Sequence, residues 1–277
     1  MDGVSSREAQ QPRGRIRRSV RQAPARPGTH AAAFTQPRER DPAAPGDLSC
    51  DTIFGGRVAL AQPARGRGYR VNADALLLAD FAGPARGALY DLGAGVGAIA
   101  LVMIARALAD RAVLVDVDPR VCELARENVA RNGARVTVSC ADVLEAAREH
   151  RGRASLVVCN PPYFEPGTAR AAASGAHARI GELDRFVRAA RELLARRGRA
   201  CFVYPTHDLP RVLALFRASG LEPKRLRLVH ATASAPARVA LVEARAAKPG
   251  GLVVLPPLVE RRGGAYTDEA ARALGLR

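Results

Sequence analysis

The central part of the chain alternates between short apolar runs of strand length and longer stretches with helical periodicity. The clearest strand candidates are 88–90, 112–115, 135–140 and 156–159. Between them, apolar residues recur every three or four positions, as on the buried face of a helix. Strands that alternate with helices predict parallel βαβ units. The sequence therefore predicts an α/β protein with a doubly wound, mainly parallel sheet, which binds its ligands beyond the carboxyl ends of the strands.

Shifts in composition predict three segments. Residues 1–50 are rich in Arg, Pro, Ala and Gln and hold almost no periodic apolar positions, which predicts a disordered extension. This extension is either a basic arm that grips RNA or a stretch without a role. Residues 51–249 carry the alternating pattern and form the predicted domain. Residues 250–277 are a tail that packs on this domain or extends from it.

The charge of the chain favours a nucleic-acid partner. The formal net charge is +16, and Lys occurs only at Lys224 and Lys248, so nearly all the positive charge is Arg. A basic surface is typical of RNA- and DNA-binding proteins. The alternative is a general bias of composition toward Ala, Arg, Gly and Pro. With 48% hydrophobic residues, the chain can bury a substantial core.

Other partners have little support in the sequence. The five cysteines are scattered, without Cys-x-x-Cys or His at ligand spacing, so neither a metal site nor a disulfide framework is predicted. No apolar run approaches the length of a membrane span, and no signal-peptide core is visible. We expect a reducing, cytoplasmic compartment and, by default, a monomer.

The apolar run 156–159 ends at Asn160-Pro161-Pro162-Tyr163, here called the clamp. Proline cannot donate to a sheet, and it holds the residue before it in extended geometry. The Asn160 amide oxygen and the Pro161 carbonyl can each accept a hydrogen bond from an amine, and Tyr163 offers a flat face for a ring. The clamp is therefore suited to a planar molecule with an exocyclic NH₂ group. Alone, a Pro-Pro-Tyr sequence is more often a strand-ending turn with a packed Tyr.

A second motif, 91–97, follows the strand 88–90 and is here called the glycine loop. Asp91 precedes Gly93, Gly95 and Gly97, which allow the backbone to approach a ligand closely at a strand-to-helix turn. The acid repels a pyrophosphate and suits a cationic ligand. About twenty residues on, Asp116 ends the next strand, where an acid can hold ribose hydroxyls.

The order of these motifs resembles the class I S-adenosylmethionine-dependent methyltransferases that modify an amino nitrogen. A closer resemblance is to the bacterial tRNA-Val adenine-N6 methyltransferase family, and it runs from about Gly56 to the end, including 69–79, 164–167, 255–258 and 266–269. It implies a Rossmann-like sheet of seven strands with the seventh antiparallel. It also implies S-adenosylmethionine as cofactor, tRNA as partner and the adenine 3′ of the anticodon as target. Asn160, Pro161 and Tyr163 would be catalytic, with Asn160 also bordering the cofactor.

Several further residues have two interpretations from the sequence. Asn72 and Asp74 precede a helix, and they either cap it or contact the amino-acid end of the cofactor. Asp142 either accepts from the cofactor's adenine amine, as in related enzymes, or caps the helix around 144–148. Asp118, followed by Pro119, is predicted to be a helix cap. Residues 165–181 are interpreted as a substrate-side loop, with substrate-binding candidates Phe164, Arg170, His177 and Arg179 beside Tyr163.

Four other functions compete with the tRNA assignment. An rRNA guanine-N2 methyltransferase is the nearest. A DNA adenine methyltransferase normally has a target-recognition insert, which is not visible here. A release-factor glutamine methyltransferase has a helical N-terminal domain that residues 1–50 cannot form. From another class, the chain could be an inactive RNA-binding module, although its intact Asp91, Asp116 and Asn160 argue against this.

Overall fold

The computed structural model describes residues 48–64, 70–161 and 176–277, with the side chains of 176–181 excepted. All of these residues lie in the unit Ala43–Arg277. The strands are β1 Leu48–Ile53, β2 Val58–Pro63, β3 Ala88–Leu92, β4 Ala112–Asp116, β5 Val136–Cys140, β6 Ala154–Cys159, β7 Leu194–Pro205, β8 Glu222–Thr232, β9 Ala237–Arg245, β10 Val253–Val254, β11 Leu258–Arg262 and β12 Ala265–Tyr266. The helices are α1 Ala73–Ala82, α2 Ala98–Ala105, α3 Pro119–Arg131, α4 Val143–Glu149, α5 Ala176–Leu193, α6 Leu209–Ala218 and α7 Asp268–Ala273.

One large sheet organises the described residues. Its order is β12-β11-β8-β9-β7-β6-β3-β4-β5, with β10 paired to β8. Strands β5, β4, β3, β6 and β7 are mutually parallel, whereas β9 runs antiparallel to both β7 and β8. The predicted parallel sheet and its antiparallel strand are confirmed. Three short strands from the tail extend the sheet beyond the seven that were predicted.

Helices cover both faces of the sheet, as the alternating pattern predicts. Apolar residues of α1, α2 and α3 pack with β3, β4 and β6 on one face. Residues of α4, α5 and α6 pack on the other face. Strand β6 is buried along nearly its whole length, because it lies in the middle of the sheet with helices on both sides. A doubly wound fold results.

The first two strands lie outside the large sheet. Strands β1 and β2 form an antiparallel hairpin, with Leu48 paired to Pro63 and Ile53 paired to Val58. The hairpin therefore begins inside the stretch that the sequence predicts as an extension. The remainder of that extension, residues 1–47, lies outside the described residues.

The predicted loop 165–181 is wrong in its second part. Helix α5 begins at Ala176, so 176–181 are helical, including His177 and Arg179. The helix also includes Gly181, and one glycine inside a helix costs only about 1 kcal/mol relative to Ala. The apolar positions that follow it, such as Leu183 and Val187, are buried against the sheet and offset that cost.

The end of the tail packs on the turn of the β1–β2 hairpin, and the contact leaves no room for a side chain. Gly275 has a φ of 71°, and a Cβ atom there would lie 2.1 Å from Cδ2 of Phe54, which is buried. Gly263 has a similar φ of 57°, but a Cβ atom there would meet nothing within 4 Å. The two glycines therefore share a backbone conformation and differ in their surroundings.

We expect Gly275→Ala to lower the free energy of unfolding by about 2 kcal/mol more than Gly263→Ala, because only the first forces an overpacked contact. Both variants carry the strain of a left-handed residue, about 1–2 kcal/mol. Chemical denaturation of the two variants measures the difference. Equal losses would show that Phe54 moves aside without cost.

Candidate active site

The candidate residues converge at the carboxyl edge of the parallel strands. Leu92 at the end of β3 pairs with Cys159 at the end of β6, so the glycine loop and Asn160 leave neighbouring strands side by side. On the other side of β3, Leu92 pairs with Val115, and Asp116 pairs with Cys140. With neighbouring strands about 4.8 Å apart, the glycine loop, Asn160, Asp116 and the start of α4 line one edge of the sheet.

The glycine loop turns sharply from β3 into α2. Gly93, Gly95 and Gly97 have φ values of 64°, 56° and 88°. Gly97 is the N-cap of α2 with a left-handed φ, and a Cβ atom there would lie 2.7 Å from Cδ1 of buried Leu114, so a larger residue would strain the backbone and displace Leu114. The N–H groups of Gly93 and Ala94 donate to the Val115 carbonyl at 2.9 and 3.1 Å. The loop is thereby fixed to the neighbouring strand.

Asp91 lies beneath this loop and is completely buried. Its Oδ2 accepts from the N–H of Ala100 in the first turn of α2 at 3.3 Å, while its Oδ1 has no hydrogen-bond partner among the described residues. The pKa of Asp91 is raised to about 8, mainly by burial and also by the nearby Asp116 carboxylate, while the hydrogen bond from Ala100 works in the opposite direction. A buried carboxylate with an unsatisfied oxygen is suited to a cationic ligand.

Asp116 holds the glycine loop from the side. Its Oδ2 accepts from the N–H of Gly95 at 2.9 Å, and its Oδ1 accepts from the N–H of Asp118 at 3.1 Å. The side chain is half-buried at the end of β4. Each carboxylate oxygen can accept a second hydrogen bond. The structure thus shows a role for Asp116 in shaping the loop and leaves acceptor capacity for hydroxyl groups.

The alternative that Asp142 caps a helix is confirmed. Its Oδ1 accepts from the N–H of Leu144 at 3.0 Å, at the start of α4. Its Oδ2 is paired with the guanidinium of Arg185 on α5. Burial works to raise the pKa of Asp142, but the Arg185 and Leu144 hydrogen bonds outweigh it, so the pKa lies below its ordinary value. The sequence gave no indication of this ion pair, which joins α4 to α5.

Asn72 and Asp74 also reach the carboxyl edge of the sheet. Asn72 is the N-cap of α1, accepting from the N–H of Ala75 at 3.3 Å, so its predicted capping role is confirmed. Asp74 is buried and paired with Arg238 at the start of β9. Arg238 also donates to both carboxylate oxygens of Glu260, at 2.7 and 2.8 Å. The sequence gave no sign of this second partner, which comes from the tail.

The clamp is only partly within the described residues. Asn160 is half-buried directly after β6, and Pro161 is buried. Tyr163, Phe164 and Arg170 lie outside the described residues. His177 and Arg179 are on α5, but their side chains belong to the undescribed part.

No group of three or more His, Cys, Asp or Glu side chains is placed to hold a metal ion within the described ranges. Of the helices described, none is long and apolar enough to cross a membrane.

The sheet order, the antiparallel β9 and the glycine loop after β3 define the class I S-adenosylmethionine-dependent methyltransferase fold. The chain belongs to the methyltransferase small domain family, whose model matches residues 71–216, more than half of its 277 residues. S-adenosylmethionine is the cofactor of this class of protein.

Curated relatives share one description, tRNA1(Val) (adenine(37)-N6)-methyltransferase. The protein from Enterobacter sp. (strain 638) is 35% identical over 146 residues, which are 49% of this chain and 58% of that protein. The protein from Porphyromonas gingivalis (strain ATCC BAA-308 / W83) is 31% identical over 169 residues, which are 56% of this chain and 65% of that protein. The matches thus span less than two thirds of the length of these relatives.

Solved structures support the fold. A "predicted O-methyltransferase" from Agrobacterium tumefaciens superposes with a TM-score of 0.60 at 24% identity, covering 72% of this chain and 94% of that one. The tRNA m1G37 methyltransferase of M. jannaschii superposes with a TM-score of 0.51 at 18% identity, covering 75% of this chain and 59% of that one. At these identities the likeness concerns the architecture of the chain alone.

The residues at the carboxyl edge fit S-adenosylmethionine. The unsatisfied Oδ1 of buried Asp91 is suited to the positive charge of the molecule. A Cβ atom at Gly95 would meet nothing within 4 Å, so open space lies beside the middle of the loop. Asp116, next to that space, has acceptor capacity for hydroxyl groups.

Proposed function

We propose that this protein is an S-adenosylmethionine-dependent methyltransferase that modifies the exocyclic amine of adenine in RNA. The observation that carries the proposal is the position of Asn160, which follows β6 one residue after the Leu92–Cys159 pair and therefore lies beside the glycine loop. The basic composition of the chain suits a polyanionic substrate. The curated relatives, which are described as tRNA methyltransferases, support the same substrate class.

The cofactor supplies an activated methyl group, so the protein has to bind the amine and orient it. The Asn160 amide oxygen and the Pro161 carbonyl would accept the two hydrogens of the adenine amine. These bonds draw the nitrogen toward tetrahedral geometry and direct its lone pair away from the ring. Holding two reactants in this way can remove up to about 7–11 kcal/mol from a barrier. Pro161 is buried, so its carbonyl is held by a rigid backbone.

Proton removal needs no dedicated base in this scheme. The methylated nitrogen is strongly acidic until it loses a proton, and water can accept that proton. Asn160 and Pro161 present acceptor oxygens along the two N–H bonds and guide the departure of the proton. His177 therefore has no required role as a base, and we propose that it and Arg179 contact the RNA at the start of α5.

The target base has to leave its stack to enter the clamp. Tyr163 and Phe164 would stack on it, worth about 1–3 kcal/mol per base in single-strand binders. Unstacking is easy in a loop and costly in a duplex. We therefore propose the anticodon loop of tRNA-Val as the substrate, with the adenine 3′ of the anticodon as the target.

Methyl transfer to separate pools of tRNA, rRNA, DNA and release factor tests this proposal. With labelled S-adenosylmethionine, we expect label in the tRNA pool, and digestion to nucleosides should place it on N6-methyladenosine. Label in rRNA as N2-methylguanosine, in DNA or in a release-factor glutamine would assign one of the competing functions. Cofactor binding without label in any pool would indicate an inactive binding module.

A further inference from the structure

A buried asparagine that belongs to none of the sequence motifs makes hydrogen bonds to both the hairpin and the glycine loop. Asn128 on α3 is completely buried. Its Oδ1 accepts from the N–H of Ala61 at 2.6 Å, and its Nδ2 donates to the carbonyl of Ala61 at 2.9 Å. The same Nδ2 donates to the carbonyl of Val96 at 3.1 Å. Asn128 thus joins β2 of the hairpin to the glycine loop.

Asn132, one helical turn later, makes a similar contact with the same strand. Its Oδ1 accepts from the N–H of Ala59 at 3.0 Å, and its Nδ2 donates to the carbonyl of Ala59 at 2.8 Å. The two asparagines thus pair with β2 as a neighbouring strand would, two residues apart. They differ in that Asn128 also holds Val96, whereas Asn132 donates to the Asn128 carbonyl at 2.7 Å.

The residue after Ala61 extends the connection to a second segment at the site. Gln62 is 3% exposed, and its Oε1 accepts from the N–H of Val71 at 3.0 Å. Val71 begins the segment Val71–Asp74, here called the pre-helix segment, which runs through the cap Asn72 into the first turn of α1 at Asp74. Two adjacent residues of β2 therefore contact the two segments at the site. Ala61 is joined to the glycine loop through Asn128, and Gln62 is bonded directly to the pre-helix segment.

We propose that Asn128 is a positioning residue for the cofactor and that β2 sets the spacing between the glycine loop and the pre-helix segment. This inference rests on the assignment of these two segments to S-adenosylmethionine. The hairpin is not part of the large sheet, so its buried hydrogen bonds to α3 are not needed to complete that sheet. A loop with three left-handed glycines has little stiffness of its own, and external hydrogen bonds hold its shape for the ligand.

The matched pair Asn128→Ala and Asn132→Ala isolates the contact with Val96. Both variants remove two hydrogen bonds to β2, so both are expected to lower the midpoint of thermal unfolding. Only Asn128→Ala is expected to weaken the binding of S-adenosylmethionine. The expected loss is about tenfold in affinity, which corresponds to the free energy of one hydrogen bond. Titration calorimetry on the full chain measures this affinity without any RNA. Equal affinities in the two variants would overturn the inference.

A second pair covers the case in which Asn128→Ala does not fold. Gln62→Met removes the acceptor for the Val71 N–H and keeps a similar side-chain volume. The Nε2 of Gln62 also donates to Asp51 at 2.9 Å, and the Ser49 hydroxyl donates to the same carboxylate at 2.7 Å, so Ser49→Ala alters the surroundings of Asp51 and leaves the Gln62–Val71 hydrogen bond in place. We expect weaker cofactor binding in the first variant and parent-like binding in the second. Parent-like binding in both would overturn the inference, whereas a parent chain that binds no S-adenosylmethionine would overturn the proposed function and this inference with it.

Discussion

Asn160→Ala is expected to lower kcat for methyl transfer by about 10²- to 10³-fold, the effect of losing one preorganised group at the reacting centre. The amide oxygen would act mainly as the amine becomes tetrahedral, so the variant should lose turnover rather than binding. The dissociation constant for S-adenosylmethionine should stay within about twofold of the parent value, because Asp91, Asp116 and the glycine loop are unchanged. Single-turnover kinetics with the unmethylated substrate RNA, together with titration calorimetry, separate the two quantities.

Ser155→Ala is the matched control for this variant. Ser155 lies at the opposite end of the same strand, β6, and its hydroxyl donates to the carbonyl of Ala88 at 3.1 Å. The substitution should lower the free energy of unfolding by about 1 kcal/mol and leave kcat unchanged. An Asn160→Ala variant that methylates RNA at the parent rate would show that the clamp does not hold the amine.

Asp91→Asn is expected to weaken the binding of S-adenosylmethionine by about 10- to 100-fold, the range for a hydrogen bond to a charged group. The variant keeps the shape of the side chain and removes its charge. Its free energy of unfolding at pH 8 should not fall, because a neutral amide replaces a carboxylate that burial disfavours. A loss of affinity without a loss of stability would identify Asp91 as a ligand for the cofactor.

The raised pKa of Asp91 also makes cofactor binding depend on pH. In the free protein this pKa is about 8, against an ordinary value of 3.8, so the stability that Asp91 contributes is full below pH 3.8 and is lost as pH rises toward 8. A cationic ligand favours the ionised carboxylate and lowers its pKa. Binding should therefore release a proton, and the affinity should rise with pH until about pH 8.

Calorimetry in buffers of different ionisation enthalpy measures the proton release. The amino group of the cofactor titrates in both proteins, so the difference between parent and Asp91→Asn isolates the contribution of Asp91. Asp118→Asn is a suitable control, since it removes a charge from an exposed helix cap at the same edge of the sheet. The same proton release in parent and Asp91→Asn would contradict this assignment.

Features encoded within a few residues could be predicted from the sequence. For example, β4 ends at Asp116 and β6 ends at Cys159, where the apolar runs stop at polar residues or proline. The cap at Asp118 follows from its position before Pro119, and the order of the motifs indicates the carboxyl edge as the site. In each case the signal is local, because hydrogen bonding and periodicity act over a few residues.

Contacts between distant parts of the chain could not be predicted in this way. Arg238 pairs with Asp74 across 164 positions, and Arg185 reaches Asp142 across 43. A charged residue on a helix looks solvent-exposed until the neighbouring element is known. Asn128 likewise appears to be an ordinary helical residue, and only the fold shows that the hairpin and the glycine loop meet at its side chain.

The tail determines how one edge of the large sheet ends. β8 is eleven residues long, and on the side away from β9 it is covered by β10 and β11. The outermost strand on this side of the sheet is β12, which is only two residues long. Long unpaired strands template the addition of other chains, whereas very short outer strands do not. The short strands of the tail therefore cover the long edge of β8 and leave only a two-residue strand at that side of the sheet, which disfavours the addition of another chain there.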